Sequence, residues 1–235
     1  MNIIGKLIIA IVILVIVYTL YRWYFSSSAS TTIITGPVEA ENASQKNFQN
    51  AVAHIPTSQY SFSMWIYISD WIYRIGDQKI LYSRKDGTGR VGPELILGAN
   101  ENTITAIVDT GNGPTYCQVA QVPIQTWVNV IVVLNQQALD VYIDGKLTRT
   151  CVLPGVASVS QKSGLWVCPP SGQHNQRGFD GYFSSFRVFP YPLNPRQAYE
   201  VYREGHEGVS VSLFNKYRMK LAFLKGNREM GSFEI

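Results

Sequence analysis

Residues 139–147 read LDVYIDGKL, and this short stretch decides the fold class. The apolar residues at 139, 141 and 143 alternate with Asp140, Tyr142 and Asp144, which is the period-two pattern of a strand with one buried face. Asp144 and Gly145 supply the two positive-φ residues of a two-residue hairpin turn. The stretch therefore predicts a β-hairpin, with residues 146–152 as its second strand.

Period-two segments separated by turn residues extend in both directions from this hairpin. The predicted strands are residues 60–68, 79–84, 94–97, 103–110, 116–119, 126–134, 138–143, 146–152, 164–167 and 181–189. One helix is predicted after them, because Asn194 can cap it, Pro195 suits its first position and Gly205 ends it. Since strands dominate and do not alternate with helices, the predicted fold class is all-β, an antiparallel β-sandwich over residues 59–208.

The first 25 residues are a separate apolar segment. Residues 7–21 read LIIAIVILVIVYTLY without a charge, and a helix over residues 3–24 would be about 33 Å long, which matches the hydrocarbon core of a bilayer. An aromatic belt follows at one end. The segment predicts a single-pass membrane anchor at residues 1–25, with a lipid bilayer as its partner. Its lipid-facing residues are Leu7, Ile8, Ile9, Ile11, Val12, Ile13, Leu14, Val15, Ile16, Val17, Leu20 and Trp23.

Two other interpretations of this segment stay open. A cleaved signal peptide would have a similar order of charge and apolar residues, and residues 27–29 (SSA) are small enough for cleavage, although the aromatic belt is atypical of a signal. A buried core helix would need a helical domain around it, and none follows. Lys6 and the α-amino group on one side, against Arg22 on the other, give only a weak bias towards a cytosolic N-terminus, which leaves the membrane side of the body open. Residues 26–58 are predicted as a linker and lead-in, with 26–37 as a polar tether.

Composition excludes some classes of function. The net charge of +4, from 20 Lys+Arg and 16 Asp+Glu, is too small to indicate a nucleic-acid partner without a clustered basic stripe. Hydrophobic residues make up 46% of the chain, so a sizeable core is available. Three cysteines, Cys117, Cys151 and Cys168, leave two states open: one disulfide with one free thiol, or three free thiols.

The sequence lacks the patterns of common catalytic sites. Glycoside hydrolysis needs two carboxylates about 5–9 Å apart, and the closest approach to such a pair is Asp140 with Asp144, of which the second sits in the hairpin turn. Histidine and cysteine spacing does not indicate zinc. Residues 87–92 match G-x-G-x-x-G, but Pro93 and a strand follow where a dinucleotide site needs a helix. The chain is predicted not to be an enzyme and to need no cofactor.

The C-terminal segment, residues 209–235, is predicted to add a basic β-hairpin. Residues 217–223 alternate, Gly226-Asn227 is a turn signal, and residues 230–235 return as a strand. Five basic and two acidic residues give the segment a net charge of +3. It is either a solvated sheet edge or a docking arm for an acidic partner or anionic headgroups. The partner-contact candidates are Arg218, Lys220, Lys225 and Arg228.

Three blocks resemble the laminin-G-like domains of the concanavalin A-like jelly rolls. FSMWIYI at 62–68 is similar to their opening core strand, TWVNVIVV at 126–133 with LDVYIDGK at 139–146 resembles their W-x-x-v…l-y-v-D-G-k signature, and FDGYFSSFRV at 179–188 resembles their closing strand. The N-terminal anchor, with CQVAQVPIQTWVNV at 117–130 and TCVLPGV at 150–156, is most similar to the membrane-anchored jelly-roll proteins of large nucleocytoplasmic DNA viruses.

The viral resemblance implies a structural protein of the virion. Such a minor capsid protein would link an internal membrane to the capsid shell through contacts with other structural proteins. The alternative is a lectin-type adhesion protein that binds glycan, with Trp71, Tyr73 or Trp166 as stacking platforms. Core packing explains the same aromatic residues if no glycan binds.

The resemblance also implies two local features. Cys117 and Cys151 lie in blocks shared with the viral proteins and would form a cross-strand disulfide, with Cys168 free; the alternative is three small buried thiols. Some laminin-G-like domains hold calcium at the rim of their loops, which makes Asp109 and Asn112 candidate ligands. Ordinary hydrogen bonding in a turn accounts for the same two residues.

Overall fold

The computed structural model describes residues 11–20, 30–41, 48–119, 121–170 and 178–207, and the backbone of 220–225 and 228–234. It forms two units, Met1–Ser30 and Thr31–Ile235. In the first unit, residues 11–20 are an α-helix whose large apolar side chains are all 49–68% exposed. No helix among the described residues is both long and apolar enough to cross a membrane. The predicted anchor residues Leu7, Ile8, Ile9 and Trp23 lie outside the described residues.

The second unit contains a sandwich of two antiparallel sheets. The seven-stranded sheet has the order β1-β12-β3-β8-β9-β10, with β2 also paired to β12, and the five-stranded sheet has the order β11-β4-β5-β6-β7. In chain order the strands are β1 (Thr31–Ile34), β2 (Val38–Glu39), β3 (Gln59–Asp70), β4 (Lys79–Asp86), β5 (Val91–Leu97), β6 (Ile104–Asp109), β7 (Pro114–Val119), β8 (Trp127–Asn135), β9 (Ala138–Ile143), β10 (Lys146–Val152), β11 (Ser163–Val167) and β12 (Asp180–Phe189). The helices of this unit are α1 (Gln49–Val52) and α2 (Pro195–Arg203).

The core fills the space between the two sheets. On β3, Phe62, Met64 and Ile66 are at most 1% exposed, and the register places Val132 and Val130 of β8 beside the first two. These positions alternate with residues on the outer face, as a strand requires. All ten strands predicted between residues 60 and 189 are present, with ends that differ by no more than three residues. The predicted all-β antiparallel sandwich is confirmed.

Helix α2 packs on the outer face of the seven-stranded sheet. The Asn194 side chain accepts a hydrogen bond from the Gln197 N–H, and the Gln197 side chain accepts one from the Asn194 N–H, both at 2.9 Å. This reciprocal capping box fixes the start of the helix, and the predicted start is confirmed. Ala198 and Val201 are buried in a cluster that includes Tyr142 of β9.

The start of the sandwich differs from the sequence prediction. Residues 31–34, predicted as part of a polar tether, form β1, in which Thr31 lies opposite Val188 of β12. Strand β2 pairs with β12 as well. Strands of four and two residues are too short to show a period-two pattern, and their position depends on pairing with a strand near the end of the sandwich. The body therefore begins at Thr31, and Ala40 and Val52 add to its core.

Two paired strands lie in the C-terminal segment, where the alternation predicts strands at 217–223 and 230–235. Strands β13 (Lys220–Lys225) and β14 (Arg228–Glu234) pair antiparallel as a two-stranded sheet. Of the partner-contact candidates, Lys220, Lys225 and Arg228 are residues of these strands. Arg218 lies outside the described residues.

Asp86 closes the β4–β5 turn and ties it to the β10–β11 loop. One carboxylate oxygen accepts hydrogen bonds from the Thr88 hydroxyl (2.6 Å), the Thr88 N–H (2.9 Å) and the Arg90 N–H (3.1 Å), and the other accepts from the Ser160 N–H at 3.1 Å. Burial alone raises the pKa of Asp86, but these hydrogen bonds outweigh it and lower the pKa to about 2. The glycine-rich residues 87–90 therefore form a turn between strands.

The depressed pKa of Asp86 makes stability depend on pH. Because the folded-state pKa lies below the ordinary value, the ionised carboxylate stabilises the fold above about pH 4, and this contribution is lost as the pH falls from about 4 towards 2. We expect Asp86→Asn, which cannot accept from Ser160 at its amide nitrogen, to be less stable than wild type at neutral pH. Urea unfolding should show this gap closing near about pH 2. Thr88→Val should give an intermediate gap, and a gap that persists in acid would contradict the prediction.

Candidate functional site

Three loops meet at one end of the sandwich. Strands β5 and β7 both run antiparallel to β6 and therefore end on the same side. The loop after β3 lies at this side as well, since it is hydrogen-bonded to the loop after β5. The loops that follow β3, β5 and β7 are residues 71–78, 98–103 and 121–126. We call these three loops the loop end.

Hydrogen bonds fix the three loops to one another. The Gly76 N–H donates to the Ala99 carbonyl at 3.0 Å, and the Val122 N–H donates to the Asn102 carbonyl at 2.9 Å. The Asn102 side chain returns a bond to the Val122 carbonyl at 3.1 Å. A Cβ on Gly98 would lie 2.5 Å from a carbonyl oxygen of its own loop, so the chain is tightly folded there. The loop end is therefore held in shape before any ligand arrives.

The loop end encloses a cleft of about 580 Å³. Its lining residues are Trp71, Asn100, Glu101, Asn102, Thr103, Gln121 and Ile124. The amide and carboxylate side chains offer both donors and acceptors, and the indole of Trp71 offers a flat apolar surface. An apolar ring beside a few convergent polar groups is typical of a site for a small polar ligand.

A groove continues from the cleft across the outer face of the five-stranded sheet. Its volume is about 380 Å³, and it shares Asn100, Glu101 and Thr103 with the cleft. On the sheet, Ile96 and Tyr116 are among the side chains that line it. Tyr116 is 62% exposed, so its ring is accessible to a ligand. The cleft and groove together can hold a ligand longer than one small ring.

A buried cation lies beside Trp71. Lys79, the first residue of β4, is 2% exposed, and its Nζ is 5.2 Å from the centre of the Trp71 ring system. Within the part of the chain that the structure describes, this Nζ has no hydrogen-bond partner. Burial, together with the charge of Arg74, lowers the pKa of Lys79. The charged form is stabilised by the cation–π contact, which also holds the indole in place in the cleft wall.

A row of side chains crosses the outer face of the five-stranded sheet. The register places five residues opposite one another, in the order Trp166, Ser83, Glu94, Ile107 and Tyr116. With neighbouring strands about 4.8 Å apart, the row is about 19 Å long. We call it the outer row. Because it has an aromatic side chain at each end, it offers two stacking positions on one face.

Trp166 lies over its own strand. A Cβ on Gly164 would lie 2.3–2.8 Å from three atoms of the Trp166 ring, so the glycine leaves the room that the indole occupies. The indole is half-buried and lines a pocket of about 310 Å³ with Lys85, Pro169 and Pro170. Trp166 is therefore a second aromatic platform beside charged and apolar neighbours.

Glu94 is the carboxylate at the centre of the outer row. The Ser83 hydroxyl donates a hydrogen bond to it, and Lys85 Nζ lies 3.2 Å from it. Asp140 and Asp144 belong to the other sheet, where each accepts a hydrogen bond from a neighbouring strand of that sheet. The acids singled out in the sequence are thus separated from Glu94 rather than paired with it across one cleft.

The calcium candidates lie at the opposite end of the sandwich, in the β6–β7 turn. Asp109 accepts a hydrogen bond from the Gly111 N–H at 2.8 Å and lies 3.4 Å from the Ser158 hydroxyl. Asn112 is an exposed residue of the same turn. This is the local hydrogen bonding that stabilises turns. Across the described residues, no group of three His, Cys, Asp or Glu side chains is placed to hold a metal ion.

A disulfide joins Cys117 on β7 to Cys151 on β10. These strands are edge strands of the two sheets, so the bond connects the sheets along one side of the sandwich. Tyr116, which lines the groove, is the residue before Cys117. Cys168 is free and buried, and burial raises the pKa of its thiol, which disfavours the reactive thiolate.

A separate aromatic group lies on the outer face of the seven-stranded sheet. The rings of Trp127 and His206 are stacked, with centroids 4.6 Å apart and planes inclined by 13°. Tyr67 lies 5.7 Å from Trp127 and 6.5 Å from Tyr182, which is 41% exposed. We call these four residues the aromatic face. Partly exposed tyrosine and tryptophan side chains are typical of protein–protein contacts.

The sequence identifies only part of this site. Trp71 and Trp166, predicted as stacking platforms, line cavities, whereas Tyr73 is not among the lining residues of the three cavities described above. Asn100 and Gln121, which form part of the polar lining of the cleft, carry no signal in the sequence because loop amides are common turn formers. Their role becomes visible only when the loops converge.

This architecture defines a class of protein, the antiparallel jelly-roll sandwich with loops gathered at one end. The family model for the concanavalin A-like lectin/glucanases superfamily, of laminin-G type, matches residues 41–198. The chain belongs to this superfamily. No curated protein matches the sequence.

Solved structures with a similar fold include the binding domains of botulinum neurotoxins. The domain of neurotoxin DC in complex with rat synaptotagmin II has a TM-score of 0.54 and 14% identity, over 76% of this chain and 48% of that one. The type G receptor binding domain has a TM-score of 0.55 and 12% identity, over 75% and 44%. The DC domain in complex with SialylT has a TM-score of 0.53 and 14% identity, over 76% and 47%. The chain spans about half the length of these domains, and the likeness shows the fold alone.

Proposed function

We propose that this chain is a non-enzymatic binding protein whose loop end recognises a glycan. The observation that carries the proposal is the cleft, where Trp71 stands beside amide and carboxylate side chains. A sugar has an apolar C–H face and a rim of hydroxyl groups. The indole can pack against that face, while Asn100 and Gln121 can donate to and accept from the hydroxyls. The outer row would extend the contact to a longer glycan.

Two comparisons support a binding role of this kind. The superfamily to which the chain belongs includes lectins and glucanases by its description, and the botulinum neurotoxin domains of similar fold are found in complex with synaptotagmin II and with SialylT. Hydrolysis would require a second carboxylate about 5–9 Å from the first. Glu94 is bonded to Ser83 and Lys85, and the proposal is that the glycan is bound and released uncleaved.

A glycan array with the full-length protein tests the proposal. We expect a defined glycan to bind, and Trp71→Ala to weaken its binding by at least about tenfold, or 1.4 kcal/mol, because the stacking surface is lost. Isothermal titration with the strongest array glycan measures the change. Running the array with calcium and with a chelator also tests whether glycan binding needs calcium.

Tyr182→Ala is the matched control, because it removes an exposed aromatic ring from the other sheet. It should leave glycan affinity unchanged, and thermal melting of both variants should show that they are folded. An array on which nothing binds, or a Trp71→Ala variant that binds as wild type does, would refute the glycan proposal.

A second candidate function has its own observation, the aromatic face. Tyr182 and the stacked Trp127–His206 pair form a partly exposed surface that suits docking to another protein. This supports a structural role, in which the chain is a virion component that links an internal membrane to the capsid shell through protein–protein contacts. In this case Tyr182→Ala, rather than Trp71→Ala, should lose the proteins that co-purify with the wild-type chain.

Both candidate functions include a membrane anchor at residues 1–25. The described part of that segment, residues 11–20, is a helix whose large apolar side chains are all exposed, and burying them in lipid would remove this apolar surface from water. The basic hairpin, through Lys220, Lys225 and Arg228, is proposed as a further contact with an acidic partner. The mild net charge gives no reason to propose a nucleic-acid partner.

A further inference from the structure

Three exposed isoleucines lie in the loops that form the cleft. Ile72 is 70% exposed, Ile75 is 59% exposed and Ile124 is 43% exposed. Ile124 lines the cleft itself, and Ile72 directly follows Trp71 in the chain. Ile75 precedes Gly76, whose N–H is bonded to the neighbouring loop. We call these three residues the apolar rim.

The loop that carries Ile72 and Ile75 is held in its exposed position. The Asp70 carboxylate accepts a hydrogen bond from the Ile72 N–H at 2.9 Å, and the Ile75 N–H donates to the Ile72 carbonyl at 3.0 Å. Arg74, between them, donates to the Gly178 carbonyl at 3.1 Å. Since backbone and side-chain bonds brace the loop from both sides, the isoleucines cannot fold into the core without breaking them.

The cleft and the loop beside it differ in polarity. The cleft contains amides and a carboxylate next to Trp71, whereas Ile72 and Ile75, in the same loop as Trp71, expose apolar side chains to solvent. A free oligosaccharide would fill the cleft and leave the apolar rim in water. A ligand with a sugar head and an apolar body would fill the cleft with its sugar and cover the apolar rim with its apolar part.

We propose that the ligand of the loop end is the headgroup of a glycolipid in a bilayer, an inference that rests on the proposed glycan-binding function. The sugar occupies the cleft, and the apolar rim enters the surface of the bilayer that carries it. Trp71 and Tyr73 flank Ile72, and aromatic residues of this type favour the membrane interface. Three isoleucines provide only a shallow apolar contact, so the sugar is needed to select the membrane.

The test compares one glycan in two forms. Full-length protein in phosphatidylcholine nanodiscs is titrated with the strongest array glycan, either free or coupled to phosphatidylethanolamine in phosphatidylcholine vesicles. We expect the vesicle-borne form to bind at least about tenfold more tightly, which is 1.4 kcal/mol. The double variant Ile72→Ser, Ile75→Ser should lose this gain and keep its affinity for the free glycan. Val152→Ser is the control, because Val152 is 78% exposed on β10 and distant in sequence from the loop end.

The possible outcomes separate the two proposals. If no glycan binds in either form, the glycan-binding function itself fails. If the free glycan binds but the vesicle-borne form gains nothing, or the gain survives in the double variant, only the glycolipid inference fails. Equal binding to vesicles without glycan would show that the protein contacts the membrane without recognising the sugar. That result would also refute the glycolipid inference.

Discussion

Replacing Arg84 with alanine is expected to destabilise the sandwich by about 3–4 kcal/mol. Arg84 is fully buried, and its Nε donates to the Ser163 hydroxyl at 2.7 Å. Its other nitrogens reach the carbonyls of Ile55 and Pro56 at 3.4 and 3.5 Å, and its guanidinium carbon lies 5.4 Å from the centre of the Tyr60 ring. Alanine would leave the buried Ser163 hydroxyl, the buried Ile55 carbonyl and the half-buried Pro56 carbonyl without their partner, and it would open a cavity among them.

The positive charge of Arg84 is not the main source of its contribution to stability. Burial lowers the pKa of Arg84, which means that the charged form is poorly solvated there. Replacement of a buried charge by an apolar side chain of similar size often costs little. We therefore expect Arg84→Met to lose less than Arg84→Ala, because it fills the cavity although it restores no hydrogen bond.

Urea unfolding of the two variants measures this difference. Arg90→Ala is the matched control, because Arg90 is exposed in the adjoining turn and its loss should change stability by no more than about 0.5 kcal/mol. If Arg84→Ala proved as stable as Arg90→Ala, the buried hydrogen bonds would not hold the β4–β11 side of the sandwich as described.

The sandwich itself is readable from the sequence wherever a strand has one buried face. LDVYIDGKL predicts β9, its turn and the start of β10 because Leu139, Val141 and Ile143 repeat with period two and Asp144-Gly145 fits the turn. Strands β1 and β2 cannot be predicted in this way, because they are too short to show a period-two pattern. Their place is decided by pairing with β12, a contact between the two ends of the sandwich.

The candidate site is harder to predict from the sequence, because it is formed by residues that are distant from one another in the chain. Trp71 and Trp166 are conspicuous as tryptophans in a strand-rich chain. The residues next to them in the sequence, however, do not show whether a tryptophan stacks on a ligand or packs in the core. The cleft forms because loops after three different strands converge, and the outer row forms because the register aligns Trp166 with Tyr116 across five strands. Asp86 likewise gains part of its role from Ser160, which is distant in sequence.

Removing the Cys117–Cys151 disulfide is expected to lower the free energy of unfolding by about 3–4 kcal/mol, since the bond closes a loop of intermediate length in the unfolded chain. The two cysteines are 34 residues apart. The variant Cys117→Ala, Cys151→Ala should show this loss in urea unfolding, and dithiothreitol should bring the wild type to the same level. Cys168→Ala, which removes the buried free thiol and keeps the bridge, is the control and should remain sensitive to the reductant.

The same experiment links stability to the site. The disulfide ties the edge strand β7 to the edge strand β10, and Tyr116 precedes Cys117 on the wall of the groove. Reduction should therefore loosen the Tyr116 end of the outer row while the hydrogen bonds among the three loops keep the Trp71 cleft intact. We expect a long glycan to lose affinity on reduction and a short one to keep it. Alkylation of all three cysteines in the unreduced, denatured protein would show that the bridge is absent, and both expectations would then fail together.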